Sequence, residues 1–159
     1  MHIAMWSGPR NLSTAMMYSF ATRGDCAVMD EPFYAAYLAA TGADHPMRSE
    51  ILAAHEADPA RIAPCLTGPA PGGRAHVYQK HMVHHMLPGM PRGWMRGVRH
   101  AFLIRHPARV VASYAARREH PRPEDLGFDA QLRLFEEVSA FQDNVPVLDS
   151  ADLRRDPRG

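Results

Sequence analysis

The chain has 159 residues, of which 46% are hydrophobic and 22% charged, and a formal net charge of +1. That is the length of one domain, with enough apolar residues for a core and too many for a disordered chain. The charge balance excludes the global basic field that nucleic acid or an anionic membrane calls for, although Arg92, Arg96, Arg99, Arg105, Arg109, Arg117 and Arg118 crowd one stretch as a solvated face.

Short apolar runs alternate with helical patterns, the signature of βα units around a mainly parallel sheet. The first strand is predicted from Ile3 to Trp6, followed by a turn at Ser7-Gly8-Pro9-Arg10. Asn11 is expected to cap a helix that runs to Arg23, where Gly24 and Asp25 break it. Within it Met16, Met17 and Phe20 have the spacing of core residues. Cys26 to Met29 reads as a second strand ending at Asp30-Glu31-Pro32. Helices are expected from Phe33 to Ala40 and from Ser49 to His55, and a loop from Pro64 to Gly73, where prolines and glycines cluster. His76 to Lys80 and Ala101 to Arg105 read as further strands. Pro107 suits the first turn of a helix through Arg118. A loop from His120 to Leu126, a helix capped by Asp129 and reaching Asp143, and a last strand from Val145 to Leu148 complete the pattern.

Cys26 and Cys65 have neither metal nor redox spacing and read as idle thiols of a reducing compartment. The first residues lack the charged and apolar regions of a signal peptide, and no run approaches the roughly 18 apolar residues that span a bilayer. A soluble, cytoplasmic protein is therefore expected. There is no internal repeat or low-complexity segment.

The first strand, turn and helix form an anion-binding arrangement. The first amides of a helix lack intrahelical partners, and the macrodipole places partial positive charge there. Gly8 permits close backbone approach, Pro9 fixes the turn, Arg10 adds a forked cation, and Ser13 and Thr14 add hydroxyls. Without a second glycine and a lysine, the segment does not fit the phosphate loop of ordinary ATPases and GTPases.

The run Ser7-Gly8-Pro9-Arg10-Asn11-Leu12-Ser13-Thr14 resembles the 5′-phosphosulfate loop of sulfotransferases that use 3′-phosphoadenosine 5′-phosphosulfate. Pro9 matches that loop's proline, Arg10 its lysine, and Ser13 and Thr14 its two threonines. Independently, Phe102-Leu103-Ile104-Arg105-His106-Pro107 through Ser113 resembles the family's 3′-phosphate motif, with Arg105, Pro107 and Ser113 in register. Asp30-Glu31-Pro32 resembles a Gly-Glu-Pro loop whose glutamate serves as general base in bacterial carbohydrate-type members, with Asp30 replacing the glycine. Lys80, at the end of the third strand, resembles the lysine that contacts the transferring sulfuryl group.

The resemblance implies a three-layer α/β/α domain over residues 1–159 with a mainly parallel sheet, the P-loop-NTPase-like sulfotransferase fold. It implies sulfuryl transfer to a hydroxyl or amine of a small-molecule acceptor, with the phosphosulfate nucleotide as co-substrate and no metal. Catalysis would rest on Arg10, Lys80 and a base. Glu31, His81 and His84 are the candidates, because a histidine close after this lysine is the base in another branch of the family. His81 and His85 also have i,i+4 spacing, but neither a third ligand nor a glutamate partner accompanies them, so zinc is not expected. Two other functions stay open: a phosphate-loop kinase of a small metabolite, with magnesium held by Asp30 or Glu31, and a non-catalytic nucleotide-binding remnant. The family continues with a C-terminal helix and an Arg-x-Gly contact to the 3′-phosphate. The reading therefore expects a domain lacking its C-terminal helical segment, with an uncovered last strand, marginal stability, self-association into a homo-oligomer, and weak nucleotide binding.

Overall fold

The computed structural model describes residues 1–116 and 123–156. Five strands form the sheet: β1 (His2–Ser7), β2 (Cys26–Asp30), β3 (His76–Met82), β4 (Arg99–Ile104) and β5 (Val147–Asp149). Every pairing is parallel, in the order β2-β3-β1-β4-β5. β1 is the middle strand and β4 is buried through His100, Ala101, Phe102 and Leu103, which explains their nearly unbroken apolar character.

Alternation along the strands supplies two cores. Ala4, Trp6 and Phe102 face one side and pack with Phe33, Ile62, Trp94, Leu134 and Val138. That side is covered by α2 (Tyr34–Thr41), α4 (Pro59–Cys65) and α7 (Phe128–Ser139). Met5, Tyr78, Ala101 and Leu103 face the other side, against Met17 and Phe20 of α1 (Ser13–Ala21) and Leu153 of α8 (Ser150–Arg155). The result is the expected α/β/α layering around a parallel sheet. Met16, Met17 and Phe20 lie against the core as their spacing predicts. The remaining helices are α3 (Arg48–Ala54), α5 (Pro107–Ala115) and α6 (Pro123–Leu126).

Several boundaries differ from the sequence reading, each for a local reason. Asn11 does not cap α1: Leu12 occupies the cap position with φ 66°, and the Asn11 amide donates instead to the Leu103 carbonyl at 3.1 Å. The helix stops at Ala21, and Arg23 turns to pair with Asp25. α4 reaches into the expected 64–73 loop because Asp58 caps the Ala60 amide at 2.8 Å and Pro59 opens the first turn. Gly127, not Asp129, precedes α7, with φ 71°. Residues 123–126 form a short helix where a loop was expected. Arg117, Arg118 and the first part of that loop lie outside the described residues. The last strand is followed at once by α8, capped by the Asp149 carboxylate on the Ala151 amide, and Leu153 packs under it. The expectation of a last strand with no following helix is thereby corrected.

Candidate active site

The C-terminal ends of β1, β2, β3 and β4 converge on one edge of the sheet, the place where open α/β sheets gather ligands. The loop from β1 to α1 lies there between the ends of β3 and β4. Gly8 is required by space: a Cβ would stand 2.8 Å from the Leu126 carbonyl oxygen. Arg10 and Leu12 both take positive φ, 63° and 66°. Glu31, at φ 46°, does so too, so three of the five non-glycine residues with positive φ among the described residues surround this edge. Such backbone costs about 1–3 kcal/mol each and persists where surrounding contacts enforce it.

Those contacts are visible. The Arg10 Nε donates to Ser113 Oγ at 2.9 Å, and the Arg10 carbonyl accepts from Arg105 Nη1 at 2.7 Å. The two motifs, read separately in the sequence, are thus one constellation. Residues 10–15 and Arg105 enclose a concavity of about 260 Å³ at the start of α1. Ser13 is buried, while Arg10 and Thr14 are exposed. Burial, then the like charges of Arg154, Arg109 and Arg10, pull the Arg105 guanidinium below its ordinary pKa. A position that destabilises an arginine cation favours an anion beside it.

A second cluster lies one strand over. Lys80 is only 4% exposed, and its Nζ donates to Asp30 Oδ1 at 2.8 Å and to Glu31 Oε1. Burial by itself would lower the Lys80 pKa, but the charge of Glu31 and the hydrogen bonds to Asp30 and Glu31 outweigh it, and the ammonium is held above its ordinary range. Glu31 is fixed through its backbone, whose N–H donates to the Lys80 carbonyl at 2.9 Å.

The three histidines after Lys80 separate. Strand alternation sends His81 to the opposite face of the sheet from Lys80. There it is 2% exposed, stacked on Trp6 at 4.4 Å and Trp94 at 5.3 Å, with Nε2 3.2 Å from Gln79 Oε1. Burial, with a smaller contribution from His100, pushes its pKa down to about 3. The structure therefore does not bring His81 to Lys80 and Glu31. His84 lines a cleft beside Glu31, its pKa lowered by burial and partly restored by Asp125. His85, which the sequence reading did not select, lies between Tyr34 at 4.9 Å and Tyr37 at 4.8 Å. Its Nδ1 has no hydrogen-bond partner and stands 3.9 Å from Glu31 Oε2. Burial, then the positive forms of His84, His81, Lys80 and His45, push its pKa to about 2, so the ring is neutral.

The cleft has a volume of about 700 Å³ and is bounded by Glu31, Tyr34, Tyr37, His84, His85 and Tyr114, with Pro9 of the β1–α1 loop at one side. That size accommodates a small organic molecule. Among the described residues no group of three or more His, Cys, Asp or Glu side chains could hold a metal ion, and no helix is long and apolar enough to cross a membrane.

Fold and site thus define a parallel-sheet α/β domain with a lysine–carboxylate cluster beside an arginine-bearing β1–α1 loop. A sulfotransferase-domain family model matches residues 1–159, and the chain belongs to that family. It is also 35% identical over 156 residues to two Arabidopsis thaliana proteins named branched-chain-amino-acid aminotransferase-like protein 2 and protein 1. The match covers 98% of this chain but only 27% and 28% of theirs, so the chain spans about a quarter of those relatives, and their names describe far longer proteins.

Proposed function

We propose that the chain transfers a sulfuryl group from 3′-phosphoadenosine 5′-phosphosulfate to the hydroxyl or amine of a small acceptor. The observation that carries this reading is the joining of Arg10, Arg105 and Ser113 into one cationic constellation, next to a Lys80–Glu31 pair that opens onto a separate cleft. One side suits a bis-anionic donor and the other an uncharged nucleophile.

In this reading the α1 amides, Gly8 to Thr14 and above all Arg10 hold the 5′-phosphosulfate, while Arg105 and Ser113 hold the 3′-phosphate. Lys80 neutralises charge that develops on the bridging oxygen. Glu31 accepts the proton of the acceptor, which occupies the cleft. The acceptor oxygen or nitrogen forms the new bond to sulfur. The bridging S–O bond breaks, and its electron pair stays on the departing phosphate. Because the transition state is loose, alignment and fixed charge supply most of the acceleration. The burial of His81 among tryptophans favours Glu31 as the base.

Calorimetry and thermal shift with adenosine 3′,5′-bisphosphate, ATP with magnesium, and buffer test the reading. The bisphosphate should bind and stabilise, and ATP with magnesium should not match it. Preference for ATP with magnesium would point to a kinase. Bisphosphate binding without any sulfuryl transfer, across a panel of alcohols and amines, would point to a non-catalytic binder. Glu31→Gln should retain bisphosphate affinity and lose about 10²-fold or more in turnover.

A further inference from the structure

We infer that Asp30 is a positioning residue, the permanent counter-ion of Lys80, which lets Glu31 leave the lysine and act on the acceptor. This rests on the reading of Lys80 and Glu31 just given.

The two carboxylates on Lys80 are not equivalent. Asp30 is the last residue of β2 and the direct register partner of Lys80 across the β2–β3 pairing, so their contact is built into the sheet. Glu31 lies one residue beyond the strand, in left-handed backbone; its N–H holds the Lys80 carbonyl and its side chain the ammonium. The Glu31 Oε2 atom already faces the cleft wall, near His85 Nδ1. Rotation of one side chain would therefore carry the Glu31 carboxylate into the cleft, whereas the register keeps the Asp30 backbone opposite Lys80 and its carboxylate within reach of Nζ, off the cleft lining.

Glu31 bonded to the ammonium is not free to accept a proton at Oε1, because Lys80 Nζ already donates to that oxygen. For Glu31 to act, its side chain must leave the lysine. Lys80 is 4% exposed, so a buried ammonium left without a counter-ion would lose its proton rather than stay charged. Asp30 prevents that. The titratable groups facing Nζ are Asp30 and Glu31 from the end of β2, and His85 from the turn after β3, which is neutral. Asp30 thus keeps the lysine charged while the base changes partner.

The test uses Asp30→Asn and Asp30→Glu, with Glu31→Gln as comparison. The first readout does not depend on turnover: NMR titration of the Lys80 ε-carbon in the free protein. Asp30→Asn should lower the Lys80 midpoint by about one pH unit or more, the scale of a lost charge partner. Asp30→Glu should restore it, and Glu31→Gln should lower it as well, because the Glu31 charge is the larger single influence that raises it. The second readout is the pH profile of turnover. In Asp30→Asn both limbs should move to lower pH, because Lys80 loses a stabilising anion and Glu31 becomes the lysine's only partner. Turnover at the optimum should fall at least tenfold, with bisphosphate affinity kept. An unmoved Lys80 midpoint in Asp30→Asn would overturn the inference, as would a lowered melting temperature and reduced turnover with both limbs in place. If the free-protein titration behaves as expected but no bisphosphate binds, the functional reading has failed and the Asp30–Lys80 pairing stands.

Discussion

The proposed function gives Arg105 two jobs that a single substitution can separate. Its Nη1 donates to the Arg10 carbonyl at 2.7 Å, and in the proposed function it also holds the 3′-phosphate. Arg105→Ala should weaken binding of both adenosine 5′-phosphate and the bisphosphate through the loop, and the bisphosphate more. The extra loss should be about 1.5–3 kcal/mol, the range for a charged hydrogen bond. Arg10→Ala should cost a similar amount for both ligands. Calorimetry with the two nucleotides checks this, and equal losses in Arg105→Ala would confine that residue to loop support. Most of these residues were legible in the sequence because motif spacing fixes them: Arg10, Arg105 and Ser113 each sit at a strand end or on the following helix. Asp30 and His85 were named there only in connection with metal ligands or loop resemblance, not for the contacts they make. Their importance comes from contacts across strands, Asp30 through register with Lys80 and His85 through the tyrosines of α2. Sequence order carries no record of either.

The β1–α1 loop is shaped from outside as much as by its own residues. Gly8 passes under the Leu126 carbonyl at the end of α6, and Gln131 of α7 donates to the Leu103 carbonyl at 3.0 Å, beside the Asn11 amide that donates to the same oxygen. Gly8→Ala would place a methyl 2.8 Å from a backbone oxygen, which cannot rotate away. The loop or α6 must shift, and a loss of about 1–3 kcal/mol in stability is expected, as for overpacking elsewhere. Bisphosphate affinity should fall with it, since the helix amides move. Urea unfolding and calorimetry on the variant measure both, and unchanged affinity would show that the loop amides do not hold the ligand. The sequence marked Gly8 as a point of close approach but not what approaches, because Leu126 is far along the chain. Asn11 was misread for the same reason: the local pattern suits a cap, and a carbonyl on β4 outcompetes it.

The fold class was readable because strands buried on both faces leave long apolar runs, but the strand order was not, since all parallel βα units look alike before they pack. One feature of the whole molecule follows from what the sheet buries. His81 and His85 sit in the interior with pKa values near 3 and 2, and burial also lowers those of His84 and His100. An unfolded histidine titrates near 6.5. Each of these groups therefore has a folded pKa below its unfolded one, and the unfolded chain binds more protons at acid pH. Their stabilising effect is complete above about pH 6.5 and is lost as pH falls toward 3. Each strongly depressed histidine contributes a slope of about 1.4 kcal/mol per pH unit below the unfolded midpoint. Because that slope is only half developed at the midpoint itself, His81 and His85 together should remove about 2 kcal/mol between pH 6.5 and 5.5, a sizeable share of the about 5–15 kcal/mol that holds a domain. Urea unfolding at pH 7.5, 6.5 and 5.5 should show the midpoint falling mainly over the last interval. His81→Phe keeps an aromatic ring between Trp6 and Trp94 and removes one proton site, so its acid slope should drop by about 1.4 kcal/mol per pH unit. Bisphosphate affinity should be retained, because His81 faces away from the Lys80 side of the sheet. Equal stability of the parent chain at pH 7.5 and 5.5 would mean that these rings take up protons without unfolding, and that the interior around Trp6 admits charge.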